Sequence, residues 1–140
     1  MRIRVLADQY LTKLPAHATP GSAGLDIHAA TTQAFWDIRP GEMQIIDTAL
    51  HIELPPFTVG LLCNRSSMAI KNRVVLGNVA AVIDSDYRGE IRVPLANMSH
   101  EPYRVYSGQR IAQLVVMPYI PCYMEYATDL SATQRGKGGL

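Results

Sequence analysis

Short apolar runs separated by turn residues are the feature that most restricts the fold of this 140-residue chain. Runs such as VAAVI, RVVL and RIAQLVVMPYI alternate with glycine or proline turns such as TPGSAG, RPGE and YSGQ. No segment longer than about ten residues keeps the 3.6-residue period of an amphipathic helix without a proline, glycine or β-branched interruption. The pattern predicts an all-β domain, a sandwich or jelly-roll barrel, with at most one short helix at SSMAIKN.

Length and charge restrict the class of protein further. One core suffices for a chain of this size, and 13 basic against 12 acidic residues leave a net charge of +1. No block of like charge marks a nucleic-acid or membrane partner, and the N-terminus is too short and too charged for a signal peptide. We expect a soluble cytoplasmic protein, in the host cytoplasm if a virus encodes it. We expect one domain over residues 1–134 and, at residues 135–140, the start of a flexible glycine-rich C-terminal arm.

The two cysteines, Cys63 and Cys122, belong to no C-x-x-C pair, and the four histidines make no zinc pattern. Both cysteines lie among apolar residues, so the sequence predicts two reduced and mostly buried thiols.

The segment GNVAAVIDSDYRGE, residues 77–90, places charged residues directly after an apolar run. If VAAVI is a strand, Asp84 and Asp86 point to the same side and can hold a divalent cation or activate a water. The alternative is a polar turn in which Asp84 caps backbone amides and Arg88 pairs with Glu90.

Three other features could carry chemistry. NRSSMAIK, residues 64–71, combines an arginine with two hydroxyls at a possible helix start, which suits phosphate but also an ordinary serine cap. Asp26 is a lone carboxylate in the apolar strand of PGSAGLDI, a costly position unless it is paired or exposed. RGKGG, residues 135–139, can wrap phosphate oxygens or form a flexible tail.

Gly77 and Asn78 separate two β-rich runs, RVVL and VAAVI. Two such residues suit a tight hairpin turn, so the sequence predicts that these runs pair with each other.

Taken in order, these segments resemble the five motifs of the trimeric dUTPase (deoxyuridine triphosphatase) family. The resemblance covers nearly the whole chain, and the third motif is the most specific. The matching segments are AGLDI at 23–27, NRSSMAIK at 64–71, GNVAAVIDSDYRGE at 77–90, GQRIAQL at 108–114 and RGKGG at 135–139.

The resemblance implies a jelly-roll subunit, a homotrimer with active sites shared between subunits, and Mg²⁺-dependent hydrolysis of dUTP to dUMP and pyrophosphate. Such an activity limits uracil incorporation into DNA and supplies dUMP for thymidylate synthesis.

The same resemblance implies roles for individual residues. Asp84 contacts the deoxyribose 3′-hydroxyl and orients the attacking water, and Tyr87 packs under the sugar where a ribose 2′-hydroxyl would collide with it. The turn at Asn78 reads uracil, and Asp26 supports Mg²⁺ through coordinated water. The implied substrate-binding residues are Arg65, Ser66, Ser67, Asn78, Val82, Asp84, Tyr87, Gln113 and Arg135.

The chain departs from the family pattern at a few positions. Ser67 replaces a usual glycine, Met68 a usual leucine, and Leu140 stands where the family has an aromatic that covers the uracil. In the family the C-terminal arm that carries this aromatic closes over the nucleotide. The resemblance therefore implies that a chain without such an arm would have impaired turnover with nucleotide binding partly retained.

Two rival functions follow from the same residues. One is a catalytically weak dUTPase-like protein that serves as a nucleotide-gated regulatory or binding protein, which the departure from the family pattern at the C-terminal arm suggests. A dCTP deaminase is the other, but it needs a catalytic glutamate where Pro94 stands, and proline cannot transfer a proton.

Overall fold

The structure is a computed structural model that describes residues 1–30 and 33–138. Within these residues the chain forms twelve strands and one short helix, which confirms the all-β prediction. The strands are β1 Arg4–Ala7, β2 Ala16–His17, β3 Leu25–His28, β4 Phe35–Ile38, β5 Met43–Ile46, β6 Leu50–Glu53, β7 Thr58–Cys63, β8 Val74–Leu76, β9 Ala81–Ile83, β10 Val93–Asn97, β11 Tyr103–Tyr106 and β12 Arg110–Pro118, and the helix is Met68–Asn72.

The strands form four antiparallel sheets around one core. A five-stranded sheet has the order β2-β3-β12-β7-β9, and the smaller sheets are β5-β10-β8, β1-β6 and β11-β4. Along β7 every second residue is buried, as expected for a strand with one face on the core. The core is aliphatic, and its fully buried side chains include Ile27, Leu62, Val93 and Leu114.

The short helix lies at the predicted position but is not capped by serine. It is a single π-helical turn, anchored by buried Met68 and ended by Arg73 in the left-handed region at φ 55°. Ser67 already has helical dihedral angles and makes no side-chain capping hydrogen bond. The carbonyl of Arg65 accepts hydrogen bonds from the amides of Met68 and Ala69 at 3.0 Å each, so these amides need no serine cap.

The predicted hairpin at Gly77 and Asn78 is half right. These two residues form a turn, closed by a hydrogen bond of 3.2 Å from the amide of Val79 to the carbonyl of Leu76. The flanking strands do not pair with each other, however, because β8 pairs with β10 and β9 pairs with β7. Two different sheets therefore meet at this turn.

The segment after β12 leaves the body of the subunit. Residues 119–138 are exposed and include no strand, and Tyr123, Met124 and Tyr126 are at least 93% exposed. Cys122 lies in this segment and is exposed, and Cys63 is only half-buried. The prediction of two mostly buried thiols is therefore wrong, although both cysteines are free.

No helix among the described residues has the length and apolar character needed to span a bilayer.

Asn97 is the main polar group of the core, at 0% exposure. Its amide donates to the carbonyls of Ile38 and Glu101 at 2.8 Å each, and its oxygen accepts from the amide and the hydroxyl of Ser99. We expect Asn97→Ala to lower the free energy of unfolding by about 2–4 kcal/mol, because buried partners lose their hydrogen bonds. Urea denaturation measures this, and exposed Asn72→Ala is the control.

Candidate active site

Asp84 and Tyr87 lie on one loop at the end of β9. The strand ends at Ile83, and a turn follows in which the amide of Tyr87 donates to the carbonyl of Asp84 at 3.2 Å. With Val82 they line a depression of about 260 Å³. Among the described residues no side-chain partner binds the Asp84 carboxylate, so it is available to a substrate or a water.

Both residue-based interpretations of this loop need correction. Asp86 lies in the turn rather than in a continued strand, so strand alternation does not align it with Asp84. Arg88 does not pair with Glu90; its guanidinium donates to the carbonyls of Ser85 and Tyr87 at 2.7 and 2.9 Å. Glu90 instead accepts backbone hydrogen bonds from residues 48 and 49, which fixes the loop to the segment just before β6.

A second group of polar residues forms around Asp26. One carboxylate oxygen pairs with Nε of Arg65 at 3.3 Å and the other with Nη1 of Arg110 at 3.0 Å. Arg65 also donates to the carbonyl of Arg110 at 3.2 Å. We call these three residues and Gln113 the arginine cluster. Two guanidinium groups around one carboxylate leave an excess of positive charge, which suits an anionic ligand.

Gln113 joins the arginine cluster through the sheet. It lies opposite Asp26 in the β3–β12 register, and its amide donates to the carbonyl of Asn64 at 2.9 Å, next to Arg65. Gly24 makes room for it, because a Cβ there would lie 2.5 Å from Oε1 of Gln113. The motif order in the sequence did not reveal Arg110, although an arginine opening an otherwise apolar strand is a signal of a paired charge.

Within one chain the Asp84 loop and the arginine cluster lie far apart. Ile83 is opposite Gly60 on β7, whereas Gln113 is opposite Cys63 on the other side of β7. Asp84 follows Ile83 and lies one residue further from Cys63, which makes the offset four residues along the strand direction. With two strand spacings across the sheet, the separation between Asp84 and Gln113 is about 15 Å. Within one subunit the two groups therefore lie at opposite ends of β7.

The remaining predicted residues lie at the surface. Ser66 and Ser67 are exposed beside Arg65, at the start of the helix, and Asn78 is exposed at the turn between β8 and β9. Arg135 is exposed in the C-terminal segment, where its Nε donates to the carbonyl of Gly138 at 2.8 Å. Leu140, singled out above, lies outside the described residues.

The donor set for a divalent cation is sparse. The described residues contain no group of three or more carboxylate, histidine or cysteine side chains able to hold a metal. Asp26 is the one carboxylate of the arginine cluster, and both its oxygens are paired with arginine. This fits a Mg²⁺ that is held mainly by substrate phosphates and water, with Asp26 beyond the first coordination sphere.

His28 lies next to this cluster and faces Arg110 in the register. It is 8% exposed, and its Nδ1 has no hydrogen-bond partner in the described part of the chain. Burial lowers the pKa of His28 below its ordinary 6.5, and Lys13, Arg110 and Arg65 lower it further, while Asp26 opposes them. The folded protein therefore keeps this imidazole neutral.

This shift predicts a pH dependence of stability. Below pH 6.5 the unfolded chain binds a proton at His28 that the folded chain does not, so stability falls as the pH drops from 6.5 towards the lower folded pKa. We expect His28→Gln to flatten this part of the profile. Urea denaturation from pH 5 to 8 at fixed protein concentration measures it, and an equal slope in both proteins would contradict the assignment.

Comparison with known proteins identifies the family. A model of the dUTPase family matches residues 11–140. The chain belongs to the dUTPase family. The deoxyuridine 5′-triphosphate nucleotidohydrolase of Mannheimia succiniciproducens is 42% identical over 127 residues, which cover 90% of this chain and 83% of that protein. The enzyme of the same name from Laribacter hongkongensis is 41% identical and covers 98% of this chain and 92% of its own length.

Solved dUTPase structures share the fold. A variant of the dUTPase of Staphylococcus bacteriophage 80alpha, solved with dUpNHpp, has a TM-score of 0.89 at 23% identity, over 99% of this chain and 96% of that one. The phage phi11 dUTPase, a variant with a structural Mg(II) ion, has a TM-score of 0.85 at 20% identity, over 94% of this chain and 100% of that one. The predicted dUTPase-like fold is confirmed.

Proposed function

We propose that this dUTPase-family chain hydrolyses dUTP to dUMP and pyrophosphate. The observation that carries the proposal is the Asp84 carboxylate, which has no side-chain partner among residues 1–30 and 33–138 and lies beside exposed Tyr87, in a chain whose relatives at about 40% identity are deoxyuridine 5′-triphosphate nucleotidohydrolases. Water attacks the α-phosphorus, the bond to the bridging oxygen breaks, and pyrophosphate leaves. The water proton passes to a base, the role that the resemblance gives to Asp84.

The Asp84 loop supplies the nucleoside half of the site. Asp84 accepts from the 3′-hydroxyl and orients the water, and Tyr87 packs under the deoxyribose. Val82 lines the same depression, and the exposed turn at Asn78 offers backbone groups to the uracil. Backbone donors and acceptors left unpaired by a wrong base cost about 1–3 kcal/mol each, which is sufficient for base selection.

The arginine cluster supplies the phosphate half. Arg65 and the hydroxyls of Ser66 and Ser67 grip the phosphates, Gln113 lies near the α-phosphate, and Arg135 acts from a glycine-rich arm that begins there. The pairing of Arg65 with Asp26 and its bond to the Arg110 carbonyl hold the guanidinium in place before substrate binds. Positioning and charge neutralisation then lower the barrier.

Mg²⁺ is the cofactor that fits these residues. When bound, it neutralises phosphate charge and favours departure of pyrophosphate. Asp26 would support it through coordinated water, as the only carboxylate of the arginine cluster. Removal of Mg²⁺ by a chelator should therefore lower turnover.

We also propose a homotrimer with active sites shared between subunits. The separation of about 15 Å between the Asp84 loop and the arginine cluster supports this, since a neighbouring copy can bring the second group to the same nucleotide. The exposed side chains of Ile120, Tyr123 and Tyr126 also favour a partner surface.

Release of pyrophosphate from dUTP with Mg²⁺, measured beside dCTP, dTTP and UTP, tests the proposed reaction. Release from dUTP alone supports it, and ammonia release from dCTP would support the deaminase instead.

Pro94 lies within the β10 ladder opposite Ile45 and has no titratable group, which disfavours the deaminase. The regulatory rival has a counterpart in the dUTPase of Staphylococcus bacteriophage 80alpha, from a group of phage dUTPases that control transfer of virulence genes. That protein is 23% identical to this chain, so the likeness concerns the fold alone.

A further inference from the structure

The Tyr87 ring is held in place by the two residues that close its loop. Its hydroxyl donates to the carbonyl of Glu90 at 2.9 Å. The ring lies directly over Gly89, because a Cβ at that position would contact Oη of Tyr87 and lie 2.5 Å from Cζ and 2.8 Å from Cε2. The backbone of Gly89 does not have a positive φ, so the requirement for glycine here is one of space rather than of backbone conformation.

Glu90 fixes this arrangement to the core. One oxygen of its carboxylate accepts from the amides of Thr48 at 3.0 Å and Ala49 at 2.7 Å. Thr48 and Ala49 are buried, and Ala49 has a strained φ of 54°, so these amides depend on Glu90 for a partner. The loop is also tied down by Nδ1 of His51, 3.0 Å from the carbonyl of Arg88.

We propose that Gly89 and Glu90 determine the sugar specificity of this protein, by holding the Tyr87 ring where a ribose 2′-hydroxyl would collide with it. The inference rests on the proposed function for the position of the nucleotide. Without the space above Gly89, the ring must move from this position, and a side chain that is 43% exposed has room to do so. Displacement of the ring opens room for the extra hydroxyl, and the preference for deoxyribose falls.

Equilibrium binding of dUMP and UMP to the full chain tests this without turnover. We expect Gly89→Ala to lower the ratio of the two affinities by about tenfold, the scale of discrimination by a steric contact in a pocket. Gly21→Ala is the matched control, because a Cβ at Gly21 would have no neighbour within 4 Å among the residues that the structure describes. An unchanged ratio in folded Gly89→Ala overturns the proposal.

If Gly89→Ala does not fold, the anchor at Glu90 gives the answer. Glu90→Gln keeps an acceptor oxygen for the two amides and should keep the preference for dUMP, whereas Glu90→Ala should lose it. Equal ratios in both variants overturn the proposal. Preferential binding of dUMP by a wild-type chain that does not hydrolyse dUTP would refute the proposed reaction while leaving this inference in place.

Discussion

Asp84→Asn should lower kcat for dUTP hydrolysis by about 10²–10⁴-fold, the range for loss of a positioned acid–base group. Asparagine has the shape of aspartate and still accepts a hydrogen bond from the 3′-hydroxyl, but it cannot take the proton of the attacking water. KM should therefore change much less than kcat. The carboxylate is exposed, so the free energy of unfolding should stay within about 0.5 kcal/mol of wild type.

Asp86→Asn is the matched control for this experiment. Asp86 is an exposed carboxylate two residues away in the same turn, and the substitution makes the same change in charge and shape. Initial rates of pyrophosphate release at saturating dUTP should be unchanged in this variant. A similar loss in both variants would assign the effect to the net charge of the loop and remove the role of Asp84 as a base.

Local features of the fold were predictable from sequence, whereas pairing between strands was not. The turn at Gly77 and Asn78 depends on the backbone of two residues, and it forms as predicted. The partners of β8 and β9 depend instead on residues elsewhere in the chain, and each strand joins a different sheet. Glu90 likewise binds amides more than forty residues away rather than Arg88 beside it.

The motifs named candidate site residues, but the arrangement of these residues in space was not predictable from the sequence. The five motifs gave the order of the residues along the chain, and Asp26 was expected to need a partner. The partner Arg110 is 84 positions away and is brought close by the β3–β12 register. The exposure of Cys122 was missed because an apolar segment was expected to be buried within its own subunit.

The separation of Asp84 from the arginine cluster leads to a second large expected effect, which concerns mixed oligomers. In the homotrimer proposed above, Asp84→Asn and Arg65→Gln should each be nearly inactive, since every site then lacks one of its two halves. Unfolded together in equal amounts and refolded, they should recover about a quarter of the wild-type rate. In random assortment half of the sites receive an intact Asp84, and half of those receive an intact Arg65 from the neighbour.

A second mixture distinguishes a shared site from a site within one chain. In this mixture the wild-type chain is refolded with an equal amount of a variant that carries both Asp84→Asn and Arg65→Gln. The rate should be about a quarter of the wild-type rate if each site draws on two subunits, and about half if each chain uses its own residues. A value near half, together with no recovery in the first mixture, would mean that Asp84 and Arg65 act within one subunit. The estimate of about 15 Å between the two groups then could not describe the working site. A rate near a quarter of wild type in both mixtures requires instead that the phosphate half of each site comes from a neighbouring chain. Only a contact between subunits can combine the intact Asp84 of one variant with the intact Arg65 of the other.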